Sequence, residues 1–211
     1  MGLPYRDDEK LMIFIDGSNL FKQCKNYSEE TGTELEIDMI KIRKELKQKY
    51  NLIRTYYYGS IPPIDKEDEE SGDEEAQNRV KEIKQQIDAQ IKFYHFLMYN
   101  GFDVTFFPLR IREKSVHCPK CEVDTKIKVW VEKGVDVALV TEMMSQAANK
   151  NCDVVILVAG DLDYREALKR VKQKGIKVKI AFFGSYTSSE FKRCADDFVD
   201  LEKFLHKIKK D

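Results

Sequence analysis

Two short, unbroken apolar runs, Leu11–Ile15 and Val154–Ala159, dominate the hydropathy pattern, and each gives way abruptly to an acid, Asp16 and Asp161. Runs of this length with β-branched and aromatic content read as strands buried on both faces, the kind found in parallel sheets. The second run extends the predicted strand from Cys152 to Ala159. Between and after them the periodicity alternates. A helix follows the first strand to about Tyr27, with Ser18 or Asn19 placed to cap it. Ile37, Ile40, Ile42 and Leu46 mark a helix over 37–48 with Asp38 as its cap. Leu52–Tyr58 reads as a strand broken by Gly59–Pro63, and Val80, Ile83, Ile87, Ile91, Tyr94 and Leu97 space out a long helix over 74–99. Strands are expected at 103–107 and 176–182, helices at 135–148, 164–174 and 188–194, and a closing strand or helix within 198–208. From Pro108 to Val131 apolar and charged residues alternate around a turn, which predicts an inserted β-hairpin. The order argues for an α/β chain, a parallel sheet of about five strands with helices on both faces, in one domain over 1–211.

Composition sharpens this only in places. The 211 residues carry a net charge of −1, yet segment 65–75 holds eight acids and one lysine. The rest has 35 basic and 29 acidic residues, a body at +6 compatible with a polyanionic partner. The acidic stretch, about 62–75, is expected to be a solvated loop leading into the long helix. No apolar run approaches the ~20 residues of a membrane span, and the early run is too short and too charged at its start for a signal peptide. Five scattered cysteines fit a reduced, cytoplasmic protein without a membrane role.

The chemistry concentrates where strands end. Asp16 closes Met12-Ile-Phe-Ile-Asp16, Gly17 permits a tight turn, and Ser18 and Asn19 follow as polar partners. Asp161 and Asp163 follow the second apolar run, and Asp136 opens a helix after Gly134. Acids at the carboxyl ends of parallel strands face the crevice where open α/β sheets bind ligands. Each could simply cap a helix. Three separate segments delivering acids to one sheet edge argue for a cation between them, and hard oxygen donors select Mg²⁺ or Mn²⁺. P-loop and dinucleotide fingerprints are absent. An adhesion-type metal module would want Ser at position 20, which is Leu, and a dehalogenase-like phosphatase an acid at position 18, which is Ser.

Ile13-Phe-Ile-Asp-Gly-Ser-Asn-Leu20, Glu132-Lys-Gly-Val-Asp-Val-Ala-Leu139 and Val155-Ile-Leu-Val-Ala-Gly-Asp-Leu-Asp-Tyr164, in this order and spacing, resemble the NYN domains, the LabA-like branch of the PIN-like ribonuclease superfamily. The resemblance spans roughly residues 10–200. It implies a three-layer α/β/α sandwich with a mainly parallel sheet and an acidic Mg²⁺ or Mn²⁺ pocket. Asp16, Asp136, Asp161 and Asp163 would be the catalytic, metal-holding acids. RNA would be the substrate, hydrolysed at its phosphodiester bonds, with Ser18, Asn19, Tyr164 and Arg165 as candidate substrate contacts. The alternative within the family is a non-catalytic RNA-binding or regulatory module that keeps the ion pocket. The chain departs from the family pattern at Glu142, where Asp is frequent, and at Ala159, where Ser is frequent.

Three further features stand apart. Cys118-Pro-Lys-Cys121 at the hairpin turn has the spacing of half a zinc site, so a Zn²⁺ would need two more ligands, for instance from a second copy in a homodimer. Arg110, Arg112, Lys114, Lys120, Lys126 and Lys128 make the hairpin a candidate arm along a nucleic-acid backbone. Tyr56, Tyr57 and Tyr58 end a strand near the acids; one or two could stack on bases of a single strand, and at least one should be core.

Overall fold

The first apolar run becomes the core strand of a six-stranded sheet. The computed structural model describes residues 8–117, 122 and 124–210. β1 (Lys10–Asp16) lies between β2 (Asn51–Ile61) and β6 (Val154–Val158), and the strand order is β3-β2-β1-β6-β7-β8, with β3 at Asp103–Pro108, β7 at Lys177–Phe182 and β8 at Asp197–Asp200. β1 pairs in parallel with both neighbours, and β6–β7 and β7–β8 are parallel as well. Every residue of β6 and every residue of β1 after Lys10 is buried, as expected of strands covered on both faces. Helices on the two faces make this a three-layer α/β fold: α1 (Gly17–Thr31), α2 (Met39–Lys47), α3 (Lys66–Glu70), α4 (Glu74–Tyr99), α5 (Val135–Ala148), α6 (Arg165–Gln173), α7 (Ser189–Lys192) and α8 (Leu205–Ile208). None is long and apolar enough to cross a membrane.

The sheet departs from the expected five strands by one. The sixth is β8, four residues at the start of the segment expected to close the fold as a strand or helix. The chain leaves β1 toward β2 and β3 on one side and returns through β6 to the other. The direction of winding therefore reverses between β1 and β6, and their carboxyl ends open a crevice at that point.

Local signals explain the helix boundaries. Asp38 caps α2 as expected, accepting from the N–H groups of Ile40 and Lys41 at 2.8 and 3.0 Å. α1 starts earlier than expected. Its cap is Asp16 itself, not Ser18 or Asn19, and the helix begins at Gly17 with no intervening loop. Gly17 is required there, because a Cβ would fall 2.2 Å from the ring and hydroxyl of Tyr57.

By internal packing the chain divides into two units. One runs through Gly59 and takes in Leu97–Thr105 and everything from Asp136 onward; the other holds Ser60–Phe96 and Phe106–Val135. The second unit contains most of α4 and the predicted hairpin, β4 (Arg110–His117) against β5 (Asp124–Val131), antiparallel and separate from the main sheet. Tyr94 anchors it, stacked on Phe106 at 4.8 Å and donating its hydroxyl to the Ser60 carbonyl at 2.7 Å. The acidic stretch is largely exposed and leads into α4, as expected, but five of its residues form the short helix α3. Asp65 caps α3, Asp68 pairs with Arg79 at 2.8 Å, Glu69 with Lys84 at 3.0 Å, and Lys128 holds both Asp65 and Glu67. Cations of the same unit order the acids, so the segment folds instead of repelling itself open. The Cys118 and Cys121 pair lies outside the described residues.

Candidate active site

Asp16 ends β1 in register with Tyr58, one position beyond the Ile15–Val158 pairing, so its carboxyl group sits at the crevice between β1 and β6. It is 6 % exposed. Both of its oxygens have donors: the Asn19 N–H reaches Oδ1 at 2.9 Å, and the Tyr164 hydroxyl reaches Oδ2 at 2.7 Å in a buried contact. A buried carboxylate keeps its charge only when donors compensate its lost hydration, and these two do so while fixing its orientation.

Tyr164 lies in the turn after β6, only 3 % exposed. Burial raises its pKa most, followed by the charge and hydrogen bond of Asp16 and then by the charges of Asp136 and Asp161. The phenol is therefore held protonated, a permanent donor to Asp16. The same observation places Asp136, in the first turn of α5, and Asp161, after β6, within electrostatic reach of the Asp16–Tyr164 pair. Three of the four predicted acids thus act on one hydroxyl. Asp136 and Asp161 are exposed, so the buried member carries the anchoring and the other two face solvent. Asp163 is also exposed; its N–H binds Asp161 Oδ1 at 2.9 Å, which fixes the 3-10 turn Leu162–Tyr164.

Asn19 joins the two strand ends: its Oδ1 accepts from the Gly160 N–H at 2.9 Å. Gly160 is needed, since a Cβ there would meet the Phe182 ring at 2.3 Å. Ser18 is half-buried on the first turn of α1. Arg165 faces Glu190 at 2.7 Å and Glu166 at 3.5 Å, so a substrate contact would have to compete with these carboxylates.

Two expectations need correction. Tyr164 is no surface for substrate, because it is buried and committed to Asp16. Tyr56, Tyr57 and Tyr58 are all buried, with Tyr56 stacked on Phe14 at 4.7 Å, and offer no face to a base. Glu142 has partners of its own. It accepts from Gln146 Nε2 at 2.7 Å and raises the pKa of Tyr56, after burial, to about 12. It lines a groove of about 610 Å³ with Arg54 and Asp103, beside the amino-terminal parts of β1 and β2.

Sequence reasoning passed over three exposed apolar residues that neighbour the acids in sequence. Phe21, two residues after Asn19, is 73 % exposed; Val137, next to Asp136, 64 %; Leu162, between Asp161 and Asp163, 36 %. Each lies beside one of the acid-bearing segments. The available signal was an aromatic residue on the polar side of α1.

The acids are hard oxygen donors suited to Mg²⁺ or Mn²⁺. Among the described residues no three His, Cys, Asp or Glu side chains stand close enough to form a metal-holding group. The donor chemistry fits the ion, with Asp16 already oriented and Asp136 and Asp161 on exposed, adjustable positions.

A family model described as the NYN domain matches residues 10–202. A crystal structure of a protein of unknown function from Vibrio parahaemolyticus is similar over 99 % of this chain and 100 % of its own, with a TM-score of 0.63 and 20 % identity, a likeness of fold. No curated protein matches the chain.

Proposed function

The chain belongs to the NYN domain family, of the PIN-like nuclease type, and from that premise we propose that it is a metal-dependent ribonuclease whose site is the crevice between β1 and β6. The observation that carries this reading is the buried Tyr164–Asp16 hydrogen bond set in the field of Asp136 and Asp161. An arrangement that gathers several carboxylates around one buried acid at a sheet switch point is costly unless a cation makes use of it.

Asp16, Asp136 and Asp161 would hold the ion, with Asp163 beside them. Mg²⁺ or Mn²⁺ there would supply positive charge to the attacking water and to the departing oxygen of the phosphodiester. The remaining work belongs to the chain itself. Tyr164 keeps one Asp16 oxygen fixed and never competes for a proton near neutrality. The Asn19–Gly160 bond sets the spacing of the two strand ends, and the Asp161–Asp163 bond sets the turn that carries the second acid. Phe21 offers the exposed aromatic face on which an unpaired base would stack, the role the buried tyrosines do not fill.

A labelled single-stranded RNA incubated with Mn²⁺, Mg²⁺ or EDTA tests the proposal. Cutting that requires the metal and is lost in Asp161→Asn is the expected result. RNA binding without cutting would favour the regulatory module instead, and equal cutting by the variant would place the activity elsewhere.

A further inference from the structure

The register of the hairpin sorts its charges onto two faces. In an antiparallel pair, directly opposed residues share a face and alternate along each strand. One face carries Glu113, His117, Asp124, Lys126 and Lys128, and every charge on it has a partner: Glu113 with Lys126 at 3.3 Å, His117 with Asp124 at 3.0 Å, and Lys128 with Asp65 and Glu67. Both carboxylates within the two strands are on this face. The opposite face carries Arg110, Arg112 and Lys114 along β4, opposed by Val131, Val129 and Ile127 on β5. It holds no acid. All three cations are exposed, and among the described residues none has a carboxylate partner.

We propose that this face, Arg110-Arg112-Lys114 beside the Ile127-Val129-Val131 row, binds the phosphodiester backbone of a single RNA strand. It names an RNA-binding arm for the ribonuclease reading and rests on it. The argument is charge complementarity with a period. Alternate residues of a strand are about 7 Å apart, close to the distance between adjacent phosphates along a nucleic-acid strand, so three cations in a row can follow the backbone phosphate by phosphate. The preference for a single strand comes from the neighbouring Ile127-Val129-Val131 row, which only unpaired bases can reach. The aliphatic row alongside gives sugars and splayed bases an apolar surface, and two guanidiniums in the set offer forked donors matched to phosphate oxygens. An acidic peptide has no such fixed spacing of charge.

The test is the affinity of fluorescein-labelled single-stranded RNA for full-length protein, read by anisotropy across a salt series in an Asp161→Asn background that prevents cutting. The compared variants are Arg110→Gln/Arg112→Gln/Lys114→Gln and, on the paired face, Lys126→Gln. The triple variant is expected to bind at least tenfold more weakly. Its salt slope should fall by about two, at about 0.7 per phosphate contact on a single strand. Lys126→Gln should bind as the parent does, and a duplex of the same sequence should gain less from the three cations than the single strand. A triple variant that matches the parent would overturn the arm, as would equal losses in both variants. Metal-dependent cutting of a short oligonucleotide, measured with Asp161 restored, separates that failure from failure of the ribonuclease reading. Parent protein that neither binds nor cuts RNA would overturn both.

Discussion

At the scale of single residues, the site depends on one hydroxyl. Tyr164→Phe keeps the ring and its packing but removes the donor to Asp16 Oδ2. Supporting hydrogen bonds to metal-holding groups are worth about 10–100-fold in activity or metal affinity, so RNA cutting should fall by that order, with a stability loss of about 1.5–3 kcal/mol from the orphaned buried carboxylate. Unchanged cutting would show that Asp16 needs no orientation. The buried thiols give a pH signature independent of function. Burial raises Cys24 from 9.0 to about 12 and, with Asp153 adding to it, Cys152 to about 11. A group whose folded pKa is raised contributes stability that is complete below its unfolded value and is lost as pH climbs through the folded one. Melting temperature should therefore begin to fall near pH 9, and a Cys24→Ala/Cys152→Ala variant should show a flatter decline between pH 9 and 10. The strand ends that carry Asp16 and Asp161 were legible in the sequence because an unbroken apolar run marks a buried strand and its end. The donor role of Tyr164 was not. Whether a tyrosine after a strand faces substrate or an aspartate depends on a turn that only the fold supplies.

Elements show the same division. Long-range hydrophobic period gave the core strands, α4 and the hairpin at nearly their observed bounds. It left open whether 198–208 closes as strand or helix; the segment does both, with β8 pairing to β7 before α8. It did not give the start of α1, since Asp16 serves at once as strand end, helix cap and site acid. That triple use leaves no slack at the β1–α1 junction, and Gly17 absorbs the tightness by letting Tyr57 pack against its backbone. Gly17→Ala would force the buried Tyr57 ring to move, which should destabilise the protein by about 1–3 kcal/mol, the usual cost of overpacking. Chemical denaturation measures it, and a neutral result would mean that the ring shifts freely. The α3 helix in the acidic stretch was hidden for a different reason. Charge density alone reads as solvated chain, and only the placement of Lys128, Arg79 and Lys84 turns it into structure.

For the whole molecule, the sheet topology decides where chemistry can occur. Reversal between β1 and β6 opens a crevice where Asp16 ends its strand, and Asp136 and Asp161, from segments far apart in the chain, act on the same Tyr164 hydroxyl that holds Asp16; the proposed site rests on that convergence. The most direct measurement is Mn²⁺-dependent cleavage of single-stranded RNA by wild-type protein beside Asp16→Asn, Asp136→Asn and Asp161→Asn, each checked for native melting behaviour. The account predicts cutting by the wild type that EDTA abolishes and a loss of about 100-fold or more in every variant. Full metal-dependent activity in a folded Asp136→Asn or Asp161→Asn protein would contradict it.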